Sequence, residues 1–136
     1  MLKVVVAEDE ALIALDIQET LEAVLVEVCA TTDTAPDAVR LVEELRPDLV
    51  LMDADLAHGT DGVAAAREIR DRWGIPVILL SGRVGRREAE QAGAIGWLPK
   101  PFTPAALMRL LQDIVAHRGT GLGDAASIMP AARARR

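Results

Sequence analysis

Cysteine is nearly absent: Cys29 stands alone among 136 residues, so the chain cannot close an internal disulfide. Aromatic residues are scarce too, with no tyrosine, one phenylalanine (Phe102) and two tryptophans (Trp73 and Trp97). No apolar run approaches the roughly 18 residues that a membrane span needs, and the first residues lack the basic-then-apolar pattern of a secretory signal. Positive charge is in deficit, with a formal net charge of −6. That balance argues against generic nucleic-acid binding. Together these absences predict a soluble, cytoplasmic protein without direct contact to DNA or membrane. Cys29 then reads as a small apolar residue buried in a strand.

What is present is enough aliphatic residue to build a core. Apolar residues make up 51% of the chain, and the length suits one domain. Five strand candidates alternate with helical stretches: Lys3–Ala7, Val26–Ala30, Leu49–Asp53, Val77–Leu80 and Ile95–Leu98. The first, third and fourth are continuous apolar runs, the pattern of a parallel sheet buried on both faces. The helices between them are amphipathic. The first places Ala14, Ile17, Leu21 and Val24 on one face, and the second Ala38, Leu41, Val42 and Leu45. Thr34 and Asp37 form a capping-box-like start to the second helix, and Pro47 stops it. The third runs from near Gly62 to Trp73, with Gly74 as its C-terminal cap. The last opens on Thr103-Pro104. Strand–helix repeated five times predicts right-handed crossovers and a three-layer, doubly wound α/β fold.

Sites in such folds gather beyond the carboxyl ends of the strands. The first strand ends in Glu8-Asp9-Glu10, the third in Asp53, the fourth in Ser81 and the fifth in Lys100-Pro101. Parallel neighbours would bring several carboxylates, a hydroxyl and an ammonium to one edge. Two like charges 4 Å apart cost about 4 kcal/mol at an effective dielectric near 20, so clustered acids need a counter-charge. A hard cation such as Mg²⁺ offsets them, and Lys100 adds a second positive group. Asp53 then reads as a carboxylate nucleophile toward a phosphoryl group. Each residue also has a bland reading. Glu8, Asp9 and Glu10 suit the start of a helix, Ser81 can end a strand, and Lys100 can be a solvated charge. His58 reads as a solvated loop histidine and His117 as the end of the last helix. Phe102 reads as core, and Trp97 as either core or switch.

The segments "VVVAEDE", "VLMD", the "DG" at 61–62, "VILLSG" and "AGAIGWLPKPF" resemble, in order and spacing, a response regulator receiver domain of two-component signalling. The resemblance covers Lys3 to about Ala116. It implies a five-stranded parallel sheet in the order 2-1-3-4-5. By the resemblance Asp53 is the phosphoacceptor. Asp9 and Asp53 ligate Mg²⁺ directly, Glu8 acts through metal-bound water, and Asp55 contributes its backbone carbonyl. Ser81 follows the phosphoryl group, Lys100 pairs with acceptor and phosphate, and the Lys100-Pro101 bond is cis. Trp97 stands where relatives carry a tyrosine or phenylalanine that turns inward on activation. "AEDEALIALDI" and "DADLAHGTDG" look similar to alphaproteobacterial members.

The implied function is that of a single-domain, bacterial response regulator, not an enzyme beyond its own phosphorylation and autodephosphorylation. It would accept phosphate from a histidine kinase or phosphotransfer protein. It would then act by protein contact with a downstream partner, or as a phosphate sink. Residues 1–117 would form the receiver. Residues 118–136, with four arginines against Asp124, would be a mobile tail with a short helix possible around 124–129 and no output domain. A receiver-like adaptor independent of phosphorylation is one alternative. A haloacid-dehalogenase-like phosphatase is another, but its metal-binding acids normally follow the lysine. Here they precede it, and only Asp113 and Asp124 come after Lys100. Between Ser81 and Lys100 the chain is shorter than most relatives by about three residues, roughly one helical turn. The fourth helix is therefore expected to be short or irregular. The usual dimer face changes with it, which leaves a monomer or weak homodimer.

Overall fold

The structure, a computed structural model, describes residues 1–117. The sequence expectations for the tail lie outside the described residues. Five strands alternate with five helices: β1 (Leu2–Ala7), α1 (Ala11–Ala23), β2 (Val26–Thr32), α2 (Ala35–Leu45), β3 (Leu49–Asp53), α3 (Gly62–Trp73), β4 (Val77–Ser81), α4 (Arg86–Gln91), β5 (Gly96–Pro99) and α5 (Pro104–His117). All four strand pairings are parallel, and the sheet order is β2-β1-β3-β4-β5. This is the doubly wound α/β fold.

Alternation along each strand divides the core in two. Val5, Ala7, Val50, Met52, Val77 and Leu79 face one layer, packed against Ala38 and Val42 of α2, Ala65, Ala66 and Ile69 of α3, and Ala89 of α4. Val4, Val6, Leu49, Leu51, Ile78 and Leu80 face the other, against Ile17 and Leu21 of α1 and Leu107, Leu110 and Ile114 of α5. A central strand serving both layers has no polar face to show, which is why β3 and β4 read as unbroken apolar runs. Each such side chain contributes about 1.5–3 kcal/mol when fully buried.

β2 sits at an edge of the sheet, so Val28, Cys29 and Ala30 are only half-buried. The expectation of a buried Cys29 is thereby corrected. Its Sγ lies 3.4 Å from the Val4 carbonyl oxygen, and partial burial pushes the thiol above its ordinary pKa. α4 has six residues, as the short interval from Ser81 to Lys100 requires. α1 carries more apolar surface than the core uses: Ile17 and Leu21 are buried, whereas Leu12 is 82% and Leu15 51% exposed. Among the described residues no helix is long and apolar enough to cross a membrane.

Candidate functional site

β1 and β3 lie side by side at the centre of the sheet, where the connections diverge toward β2 on one flank and β4 on the other. A crevice at such a switch point is the usual site of α/β sheets. The register brings the strand ends level. Ala7 pairs with Met52, Asp53 with Leu80, and Ser81 with Pro99. Glu8, Asp9, Asp53, Ser81 and Lys100 consequently stand on one edge.

Asp53 is the last residue of β3 and is 3% exposed; Glu8 and Ser81 are 4% and 2% exposed. Lys100 Nζ lies 3.0 Å from Asp53 Oδ2, 2.9 Å from Glu8 Oε1 and 3.8 Å from Glu10 Oε2. The other acceptor oxygen, Asp53 Oδ1, takes a hydrogen bond of 3.0 Å from the Asp55 amide. One ammonium thus faces a majority of carboxylates. Burial, reinforced by the charge of Asp53, pushes Glu8 up to about 7 against the opposing pull of Lys100 and the Glu10 amide. Burial would lower Lys100, but the close negative charges of Glu8 and Asp53 prevail and hold it above its ordinary value.

Glu8, Asp9 and Asp53 each offer one carboxylate oxygen within 4.8 Å of the others. Although Glu8 Oε1 is close to the ammonium, it is buried with no donor in hydrogen-bond geometry. Hard oxygen donors, surplus negative charge and an orphaned buried acceptor fit a hard divalent cation.

The local backbone explains how the acceptor is held. The Gly62 amide donates to the Ala54 carbonyl at 3.0 Å, so the start of α3 presses on the end of β3. A Cβ at position 62 would lie 1.9 Å from the Asp53 carbonyl oxygen. Only glycine fits there. Asp61, the other half of the "DG" pair, caps α3 by accepting from the Val63 and Ala64 amides at 2.9 and 3.0 Å. Its carboxylate serves the helix and does not join the acidic cluster.

Ser81 Oγ accepts from the Arg83 amide at 2.9 Å and the Val84 amide at 2.5 Å. A hydroxyl has two acceptor positions and one proton, so the proton stays available to a further acceptor. The Lys100-Pro101 peptide is cis, and the Lys100 amide donates to the Ser81 carbonyl at 2.8 Å. Trp97 is half-buried on β5; its Nε1–H donates to the Val84 carbonyl at 3.0 Å, and the Arg86 guanidinium lies 5.9 Å from its ring centroid. His58 is exposed in the turn at Ala57–Gly59 with φ 60°. Sequence reasoning missed one contact at the mouth of the site. The Arg83 guanidinium pairs with the Asp55 carboxylate at 2.8 Å. The only signal for it was Arg83 standing two residues past Ser81.

Comparison with known proteins points in one direction. The family model for the response regulator receiver domain matches residues 4–112. The transcriptional regulatory protein PdtaR of Mycobacterium tuberculosis is 35% identical over 118 residues, 85% of this chain and 57% of that protein. The phyllosphere-induced regulator PhyR of Methylorubrum extorquens is 31% identical over 113 residues, 82% of this chain and 42% of that protein. The chain therefore spans about half the length of these relatives. Among solved structures, the receiver domain of the sensor histidine kinase PA1611 of Pseudomonas aeruginosa is similar, with a TM-score of 0.71 and 34% identity over 82% of this chain and 94% of that one. That domain has a magnesium ion coordinated in its active-site cleft.

Proposed function

The chain belongs to the response regulator receiver domain family, and on that premise we propose that it accepts a phosphoryl group on Asp53 from a histidine kinase or a histidine phosphotransfer protein. The observation that carries this reading is Asp53 itself. It is a buried carboxylate at the end of the central strand, with its counter-charge delivered by Lys100 from 47 positions away in sequence. An oxygen of Asp53 forms the new bond to phosphorus as the phosphorus–nitrogen bond of phosphohistidine breaks. The electron pair leaves with the imidazole, which takes up a proton, and an acyl phosphate results. Lys100 pairs with a phosphoryl oxygen, and the Ser81 hydroxyl donates to another. Asp9 and Asp53 would hold Mg²⁺ directly, with Glu8 acting through water and Asp55 through its backbone carbonyl. When bound, the ion would neutralise phosphoryl oxygens during transfer.

Leu15 lines the same cleft as Glu8 and Asp9, and Leu12 stands exposed one turn before it. This apolar rim beside the acceptor supports docking of a partner protein. Residues 1–117 form the receiver unit in this proposal. It signals by changing its protein contacts or by draining phosphate from a competing regulator. It performs no chemistry beyond its own phosphorylation and dephosphorylation.

The test is labelling with acetyl phosphate and Mg²⁺. The wild-type chain gains one hydroxylamine-sensitive phosphate, and Asp53→Asn gains none while keeping its circular dichroism spectrum. Equal labelling of the variant would remove Asp53 as the acceptor.

A further inference from the structure

Arg83 joins the two loops that flank the acceptor. Its Nη2 lies 2.8 Å from Asp55 Oδ1 and its Nε 3.3 Å from Asp55 Oδ2, a two-pronged contact across 28 positions of sequence. Both partners are anchored through their own backbone amides. The Asp55 amide donates to Asp53 Oδ1, and the Arg83 amide donates to Ser81 Oγ. The ion pair therefore hangs from the two side chains that would meet a phosphoryl group. It is also open to water, with the Arg83 side chain 81% and that of Asp55 45% exposed. An exposed pair of this kind adds little to stability. It can change partners at small cost.

A phosphoryl group on Asp53 alters that competition. It brings a charge of about −1.5 to −2 at pH 7, where one carboxylate stood before. A guanidinium fork suits phosphate oxygens as well as a carboxylate. Asp55, for its part, is repelled by the new charge. We propose that Arg83 is a second phosphoryl-binding cation, sequestered by Asp55 at rest and transferred to the phosphoryl oxygens when Asp53 is phosphorylated. This rests on the reading of Asp53 as phosphoacceptor.

The exchange has a consequence for lifetime. In hydrolysis, a water oxygen bonds to phosphorus while the bond to the Asp53 oxygen breaks. The carboxylate leaves with the electron pair, and the water's proton passes to solvent. A guanidinium closed over the phosphoryl oxygens stabilises the acyl phosphate and obstructs that water. Arg83 therefore prolongs the phosphorylated state, and Asp55 shortens it by competing for Arg83.

The experiment uses the full chain, acetyl phosphate as donor, and beryllofluoride with Mg²⁺ as a stable phosphoryl substitute. Arg83→Ala labels at Asp53 but loses its phosphate about fivefold faster than wild type, the rate equivalent of one exposed charged contact. Asp55→Asn, which keeps the backbone carbonyl, loses it more slowly. In the double variant the benefit of Asp55→Asn disappears, because the cation it released is gone. Arg83→Lys falls between wild type and alanine, since it keeps the charge without the fork. The Nε–H resonance of Arg83 shifts on adding beryllofluoride. An unchanged or longer lifetime in Arg83→Ala would overturn the proposal. So would an unmoved Nε–H resonance, or an Asp55→Asn effect that persists in full without Arg83. Absence of label on the wild-type chain would instead overturn the acceptor reading and this proposal with it.

Discussion

Lys100 faces Glu8 and Asp53 at once, and each of those acids is nearly sealed from water. Removing one partner of a buried ion pair leaves an uncompensated charge, at a cost of about 3–5 kcal/mol. Lys100→Ala should therefore lose about 3 kcal/mol of stability in metal-free buffer, read from urea unfolding. The deficit should shrink when Mg²⁺ is added, because the ion would take over as counter-charge. A native-only ligand at a hundred times its dissociation constant contributes about 2.7 kcal/mol. A variant as stable as wild type without metal, or one that Mg²⁺ does not help, would break this account of the site. At this scale the sequence was informative wherever a polar residue ended an apolar run. Asp53, Ser81 and Lys100 all stand out in that way. The Arg83–Asp55 pair does not, because two charges on exposed loops follow no period and their meeting depends on how the sheet is ordered. Gly62 was visible only as half of a motif. Its physical reason, the closeness of α3 to the Asp53 carbonyl, needs the packed structure.

The helices show which local signals survive folding. Thr34 caps α2 by accepting from the Asp37 amide at 3.3 Å, and the Asp37 carboxylate accepts a hydrogen bond from the Thr32 hydroxyl at 2.7 Å. Hydrogen bonding to Thr32, then to Arg40, holds Asp37 below the usual carboxylate range. Thr34→Ala should cost about 1 kcal/mol by loss of the cap. Because the acceptor side chain is bonded by Asp55 and Lys100 and, among the described residues, by nothing from α2, the variant should take up phosphate at Asp53 at the wild-type rate. Thermal melting and labelling checked together would show it; a labelling defect as large as the stability defect would mean that α2 supports the site. Cap residues were legible because their chemistry is local: Thr34 for α2, Gly74 for α3, Thr103 for α5. Strand limits were less so. β5 begins at Gly96 and not Ile95, since the Ile95 amide is spent on the Val77 carbonyl before the ladder starts. The pairing of β1 with β2 shifts between Val4 and Val5, an irregularity that no pattern of side chains announces.

Across the whole molecule, the sheet carries the acceptor to a surface that lies beyond it. Ser81 Oγ accepts from the Val84 amide, and the Val84 carbonyl accepts from Trp97 Nε1–H. Three bonded residues thus link the edge that holds Asp53 to the face made by α4 and β5. α4 contains only six residues, and Ala89 is the one it buries. Little packing holds this segment in place, and low local contact is where structures yield first. If Ser81 turns its hydroxyl toward a phosphoryl group, the loop at 82–85 must follow, and Trp97 is tied to that loop. Packed cores favour discrete arrangements, so the face should move between two states. Trp73 provides a confounding signal, stacked under Arg72 at 4.4 Å and Arg46 at 5.5 Å at the far end of α3. In a Trp73→Phe background, beryllofluoride with Mg²⁺ should change the fluorescence of Trp97 and slow hydrogen exchange in residues 82–91. Trp97→Phe removes the bond to Val84. It should leave labelling at Asp53 intact while weakening the exchange response. Saturating beryllofluoride that left both signals flat would show that this face does not report the acceptor, and the response would then have to leave the site through the apolar rim of α1.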